Sequence, residues 1–253
     1  MAPTCELGST FAVCCSRMRS SSADSVGSID TPRYLPYLFQ LFIARGGQYW
    51  RAEVPSLHAL LENPPQPPSS YGPPAAVVNC TGLGSRTLGD VKDETVFPTR
   101  GQTVLIRAPW LKRGLTAVPA PDGTAVAYII PRQSGAVILG GTLDANDWEA
   151  KPREETARAI MKRCLALTTD LLPPHKRENG TIDDLEVIEY GAGLRPTRQG
   201  GVRLDTTYLE LSGGRRVPIV SNYGHGGAGY QSSWGSAERA VMLLSDAVPL
   251  ARL

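Results

Sequence analysis

Ile219-Val220-Ser221-Asn222-Tyr223-Gly224-His225-Gly226-Gly227-Ala228-Gly229-Tyr230-Gln231 is the stretch on which the reading of this chain turns. Residues 217–222 are apolar and β-branched enough for a buried strand, and the pattern from Tyr230 to Ala247 is helical. Between them lie four glycines. Glycine reaches positive φ at no steric penalty and lets a ligand approach the main chain. The free N–H groups and the dipole at a helix start favour negative charge. Such a turn holds an anion such as phosphate, or it is simply a tight strand-to-helix turn with no ligand. His225 has two readings as well, since a lone loop histidine is more often structural than catalytic.

Working outward, residues 75–80 form a second short apolar run that ends at Thr81-Gly82-Leu83-Gly84. A buried parallel strand entering a glycine turn has this pattern. Before it, Pro64, Pro65, Pro67, Pro68, Pro73 and Pro74 make residues 63–74 an extended surface loop or linker. Further upstream a helix is predicted from Asp30-Thr31-Pro32. Thr31 is the expected N-cap, and Leu35, Leu38, Phe39 and Phe42 are its apolar stripe. Gly46-Gly47 stops the helix, and residues 48–54 read as a strand.

From residue 103 to about 203 the pattern becomes α+β. Strands are predicted at 103–107, 126–131, 136–140 and 185–190, interrupted by one helix that opens at Pro152. Glu154 and Glu155 suit the positive end of that helix, and Ala157, Ile160, Met161, Cys164, Leu165 and Leu171 are its predicted apolar stripe.

Composition excludes several function classes. Lys plus Arg number 26 against 24 Asp plus Glu, a net charge of +2, so nothing electrostatic points to nucleic acid or an anionic membrane. No apolar run reaches membrane-span length. The five cysteines (Cys5, Cys14, Cys15, Cys80 and Cys164) contain no C-x-x-C pair, and the three histidines are far apart. Neither a disulfide framework nor a metal site is expected. Residues 1–24 are rich in Ser, Cys and Arg without apolar periodicity and are expected to be disordered.

Taken together, these segments resemble the D-amino-acid oxidase family. The family signature runs apolar-apolar-His-Asn-Tyr-Gly, then small residues and Gly, then Gly-x-Ala. The chain shows it at Ile219 to Gly229 and at Gly235-Ser236-Ala237. Ser221 stands where the family has His, which bears on local packing or a hydrogen bond. Val77-Val78-Asn79-Cys80-Thr81-Gly82-Leu83-Gly84 is similar to the family's second flavin-contacting strand and turn. Arg100-Gly101-Gln102-Thr103-Val104 is similar to the entry into its substrate domain. Ala127-Tyr128-Ile129-Ile130-Pro131-Arg132 and Gly193-Leu194-Arg195-Pro196 are similar to its substrate-contacting strands. Gly140-Gly141-Thr142, followed by Asp147-Trp148, is also family-like. The motifs keep the family's order over about residues 25–248.

The resemblance implies a fold class of α/β plus α+β: a remnant of an FAD-binding, Rossmann-like domain with a mostly antiparallel-sheet substrate domain. The expected division is 1–24 disordered, 25–97 and 216–253 partial FAD-binding domain, and 98–215 substrate-binding domain. The implied activity is FAD-dependent oxidative deamination of neutral D-amino acids to 2-oxo acids, ammonia and hydrogen peroxide. Substrate-binding falls to Tyr128, Arg195, Gly227 and Leu143. Cofactor-binding falls to Val54, Thr81, Gly82, Gly226, Gly227, Ala228, Gly229, Tyr230 and Gln231. Arg195 offers the planar fork that grips a carboxylate, Tyr128 a phenol donor, and the Gly227 carbonyl an acceptor for the amine. The α-hydrogen leaves as hydride, so no side-chain base is needed and no catalytic side chain or metal is expected. The glycine turn would then face the electron-rich N1–C2=O edge of reduced flavin.

Leu143 occupies a position that is often Tyr in relatives, or Arg in D-aspartate oxidases. Leucine cannot pair with a side-chain carboxylate, so neutral D-amino acids are expected over D-aspartate. The implied partners are a small D-amino acid and dioxygen, with no nucleic acid and no membrane, and a homodimer is admitted. Ala251-Arg252-Leu253 is similar to a peroxisomal S-K-L address, which suits peroxide chemistry. The G-x-G-x-x-G turn that opens the family's first βαβ unit is missing, since Gly82-Leu83-Gly84 runs on into Ser85-Arg86-Thr87. An open sheet edge, exposed apolar faces, weak solubility and low flavin occupancy are therefore expected. The competing readings are a D-aspartate or glycine oxidase and an inactive family remnant.

Overall fold

The computed structural model describes residues 29–64, 72–120, 122–124 and 126–248. The disorder expected at 1–24, residues 65–71 of the proline stretch and the C-terminal tripeptide lie outside the described residues. In chain order the elements are α1 (Thr31–Ala44), α2 (Leu57–Glu62), β1 (Val77–Asn79), β2 (Val96–Arg107), β3 (Leu115–Ala117), β4 (Ala127–Pro131), β5 (Ala136–Gly140), β6 (Asp144–Ala145), α3 (Glu154–Leu167), β7 (Val187–Arg198), β8 (Arg203–Glu210), β9 (Arg216–Tyr223) and α4 (Gly229–Ala247). No helix among the described residues is long and apolar enough to cross a membrane. The chain is mixed α/β with mostly antiparallel pairing, the expected class.

The fold divides into two compact units. The first takes the described part of Met1–Gly46, with Thr103–Gly141 and Arg153–Gly191; the second takes Gly47–Gln102, Thr142–Pro152 and Ala192–Leu253. Strands β2 and β7 each contribute residues to both.

In the first unit β3, β4, β5 and the end of β2 form an antiparallel sheet, with Tyr128 opposite Gly140 and Thr103 opposite Gly140 in register. Helix α3 lies on β4 and β5. It forms because its apolar residues recur at helical spacing and two acidic residues occupy the first turn. It ends where Thr168 turns extended and caps the next short helical turn by accepting from the Asp170 N–H. Ala157, Ile160, Met161 and Cys164 are buried against Ile129, Leu139 and Val104. Full burial of an Ile or Leu contributes about 1.5–3 kcal/mol, so this face fixes the helix. Leu171, predicted within the helix, is buried in the following turn.

Two predictions for the N-terminal region are corrected. The N-cap of α1 is Asp30, one residue earlier than expected, with no side-chain cap bond. Asp30 instead lies 3.8 Å from Arg132, which removes its carboxylate from capping duty. The strand expected at 48–54 does not form. An extended segment becomes a strand only with a partner, and none pairs with it among the described residues. The segment ends where Gly89 donates to the Pro55 carbonyl and Leu57 donates to that of Gly89. Gly46 does adopt φ +84° at the end of α1, as its helix-stopping role requires. Helix α1 has no buried residue; Leu35, Tyr37, Phe39 and Phe42 are about half exposed.

In the second unit the sheet order is β1-β9-β8, with β1 parallel and β8 antiparallel to β9. Among the described residues β1 pairs only with β9 and forms the edge of this sheet. Leu57, Leu61, Leu88, Leu211, Val217 and Ile219 are the buried cluster. Helix α2 carries two of these and is capped by Ser56, whose hydroxyl accepts from the Ala59 N–H at 2.9 Å. Helix α4 lies on β8 and β9 but buries only Ala240, and Trp234, Val241 and Met242 are exposed.

Candidate active site

The second unit gathers most of the expected site around four consecutive residues of β7, Arg195 to Arg198. Each meets a glycine. A Cβ on Gly101 would lie 2.2 Å from Arg195 Nη1, and one on Gly82 would lie 3.4 Å from Pro196 Cβ. A Cβ on Gly226 would lie 3.3 Å from Thr197 Oγ1, and one on Gly224 would lie 2.7 Å from Arg198 Cβ. The glycines therefore let three main-chain segments close around one strand. Gly224, Gly226 and Gly82 also have φ of +92°, +55° and +57°, where other residues are strained.

Arg195 donates through Nη1 to the Thr142 carbonyl at 3.0 Å, which leaves most of its five N–H groups for a ligand. Leu143, the next residue along from Thr142, is 51% exposed. Gly227 faces Arg195 differently from the other glycines. A Cβ there would sit 3.7 Å from Arg195 Cδ, an ordinary contact, and the residue is exposed. Packing within the protein does not demand glycine at 227.

Gly226–Ala228 form a short 3₁₀ turn that runs into the 19-residue helix α4. Its N-cap is Ala228, which has no capping side chain, so the first N–H groups of α4 are open to a ligand or water. Tyr230 and Gln231 follow in the first turn, both exposed. His225 turns away from this surface. Its Nε2 lies 2.8 Å from Ser236 Oγ, and burial pushes its pKa down, so it is neutral near pH 7 and staples the loop to α4.

The second glycine turn is held by a polar knot. Asn79 Oδ1 accepts from the Thr81 N–H at 3.1 Å and from the Thr81 hydroxyl at 2.8 Å. The Thr81 and Ser85 hydroxyls are 2.7 Å apart, and Asn79 Nδ2 lies 3.4 Å from Ser85. Asn79 and Ser85 are buried. Val54 is partly buried and packs on the buried cluster of this unit.

Sequence reasoning missed the residue that joins these parts. Asp93 accepts from Arg198 Nε at 2.8 Å and from the Tyr223 hydroxyl at 2.9 Å, and its other oxygen accepts from Thr95. Burial works to raise this carboxyl. The bonds from Arg198, Thr95 and Tyr223 outweigh it and hold the pKa far below the usual carboxylate range. Arg203 in turn donates to the Tyr223 hydroxyl at 3.0 Å. The available signal was Asp93-x-Thr95, an Asx-turn pattern.

Tyr128 belongs to the first unit. Its ring lies against Gly140, its partner across the sheet, and Gly141: a Cβ on Gly140 would come within 2.0 Å of Cζ, and one on Gly141 within 2.7 Å of the phenol oxygen. The carbonyl of Gly141 accepts from Arg163 at 3.0 Å. Arg163 is an arginine on the buried face of α3, paired with Asp122 at 3.3 Å, and periodicity alone did not reveal it. No group of His, Cys, Asp or Glu able to hold a metal occurs among the described residues.

Comparison with known proteins identifies what these features belong to. The chain is 37% identical over 222 residues to D-aspartate oxidase from Cryptococcus neoformans var. grubii, covering 78% of this chain and 56% of that protein. It is 35% identical over 225 residues to D-amino-acid oxidase from Schizosaccharomyces pombe, covering 88% and 59%. The chain thus spans somewhat more than half the length of the curated relatives it matches. Glycine oxidase from Geobacillus kaustophilus has a similar fold, with TM-score 0.52 and 20% identity over 70% of this chain and 44% of that one. Residues 19–243 match the family described as FAD dependent oxidoreductase, and the chain belongs to that family.

Proposed function

We propose that this chain carries the substrate-oxidising part of a D-amino-acid oxidase acting on neutral D-amino acids. The observation that carries this reading is Arg195, held by one bond to Thr142 and bordered by Gly101 and Gly227, with its remaining N–H groups available. A guanidinium so placed grips a carboxylate through two parallel bonds. By resemblance, the Tyr128 phenol donates to the same carboxylate and the Gly227 carbonyl accepts from the amine. In the family's scheme these contacts orient the α-hydrogen, and no side chain has to move a proton. FAD, when bound, supplies the two-electron oxidation of the amine to an imine, with water giving the 2-oxo acid and ammonia and dioxygen giving hydrogen peroxide.

The cofactor fits the residues present. Thr81, Gly82, Gly226, Gly227, Ala228 and Gly229 offer main chain with little side chain, and the uncapped start of α4 with Tyr230 and Gln231 favours an electron-rich edge. Residues 25–97 and 216–253 would form the cofactor side and 98–215 the substrate side. The C-terminal Ala251-Arg252-Leu253 supports a peroxisomal address.

A second reading, D-aspartate oxidase, is favoured by the names of relatives from Cryptococcus neoformans var. grubii and Homo sapiens, each 37% identical. Leu143 opposes it, because an exposed leucine gives a second carboxylate nothing to pair with. The deciding test is the visible spectrum of the purified chain after incubation with FAD and desalting, then anaerobic D-alanine. A retained flavin band that bleaches with D-alanine, and much less with D-aspartate or L-alanine, is the expected result. No retained flavin would make this chain a non-catalytic family member. Faster bleaching with D-aspartate would install the second reading.

A further inference from the structure

We propose that Asp93 is a positioning residue that couples the Gly82 turn to the Gly224–Ala228 loop through the Arg195 strand, setting all three for a ligand as one body. The inference rests on the site proposed above, but its geometry stands apart from that site's chemistry. The Asp93 main-chain N–H donates to the Ser85 carbonyl at 3.0 Å. Ser85 belongs to the knot with Asn79 and Thr81, so this bond reaches the Gly82 turn. The Asp93 carboxylate holds Arg198 and Tyr223. Tyr223 immediately precedes Gly224, and the Arg198 side chain lies against Gly224. Arg198 is also three residues from Arg195 on β7.

Burial makes this coupling strong. Asp93 is 8% exposed, Tyr223 2% and Ser85 0%. A charge removed from water and hydrogen-bonded on both oxygens is hard to disturb at one end alone. If Asp93 loses its charge, Arg198 and Tyr223 keep polar groups facing a weakened acceptor. The loop and the turn then loosen together. The glycines of these segments bring no side chains to pack, and the Asp93 carboxylate supplies directional bonds in their place.

The test is amide hydrogen exchange of the unliganded chain, comparing wild type, Asp93→Asn and Leu61→Ala, well below each Tm. Leu61 is buried in the apolar cluster of the same unit and serves as the structural control. Asp93→Asn is expected to speed exchange about tenfold or more in the 82–86 turn, residues 195–198 and the 224–228 loop together. Leu61→Ala, at a comparable loss of Tm, is expected to leave those three segments near wild type. The inference is overturned if Asp93→Asn leaves them unchanged, if only one of them responds, or if Leu61→Ala produces the same pattern. FAD titration of the same proteins runs alongside. Coupled exchange in a chain that binds no FAD would sink the proposed function and leave the coupling standing. FAD binding with uncoupled exchange would do the reverse.

Discussion

The two units are held by different forces. The first is built as a sheet and a helix with Ile129, Leu139, Ile160, Met161 and Leu171 fully or almost fully buried between them. The second has a smaller apolar cluster, and the segments that form the candidate site are fastened instead by Asp93, Arg198, Tyr223, Asn79, Thr81 and Ser85. Apolar packing is non-directional and tolerates small shifts, whereas a hydrogen-bonded carboxylate fixes distances and angles. A main-chain binding surface needs the second kind of support, because its glycines bring no side chains to pack.

This contrast can be broken from either side. The largest effect is expected from Ile160→Ala in the first unit. Ile160 is fully buried under the sheet, so truncation leaves a cavity and costs about 2–5 kcal/mol, read as a lower midpoint in urea unfolding. Glycine substitutions sharpen the comparison within the second unit. Gly224→Ala places a methyl 2.7 Å from Arg198 Cβ at φ +92°, and is expected to destabilise by about 1–3 kcal/mol. Gly227→Ala meets only ordinary contact, so stability should change by less than about 0.5 kcal/mol while FAD retention falls. Equal losses of Tm in the two variants would refute the distinction.

The smallest effect is a pH dependence. Arg198 and Tyr223 lower the folded-state pKa of Asp93, against its burial, so its contribution is present above the unfolded value of about 3.9. That contribution is lost as pH falls toward the folded value. Arg203, which bonds Tyr223 and lies 3.9 Å from Asp93, stays charged throughout this range. The stability difference between wild type and Asp93→Asn should therefore be constant near pH 6 and shrink below about pH 4. A difference that grows on acidification would reverse the sign assigned to Asp93.

Much of this was legible in the sequence where the signal is local. The run into Thr81-Gly82, the glycine loop into α4, and the apolar face of α3 appear within one or two residues of their predicted places. What failed depends on distant partners. Residues 48–54 have strand composition but pair with no strand among the described residues, whereas β8, a polar alternating segment, becomes a strand because β9 lies beside it. Asp93 was illegible for the same reason. Its partners Arg198 and Tyr223 are 105 and 130 residues away, and no local pattern announces a bond of that span. Arg163 was hidden because a charge on an apolar stripe reads as an error until the Gly141 carbonyl is seen to receive it.

The glycine-bordered strand from Arg195 to Arg198 carries a consequence for how the protein tolerates variation. Alanine scanning works by deletion, and most of this surface has nothing to delete. Truncating side chains there tests Arg195 and says nothing of Gly82, Gly226 and Gly227, so the candidate surface would look smaller than the one proposed. Here the informative perturbation is addition. A methyl at Gly227 meets only ordinary contact within the protein and so reports on a ligand, whereas at Gly82, Gly224 and Gly226 the positive φ strains any side chain first.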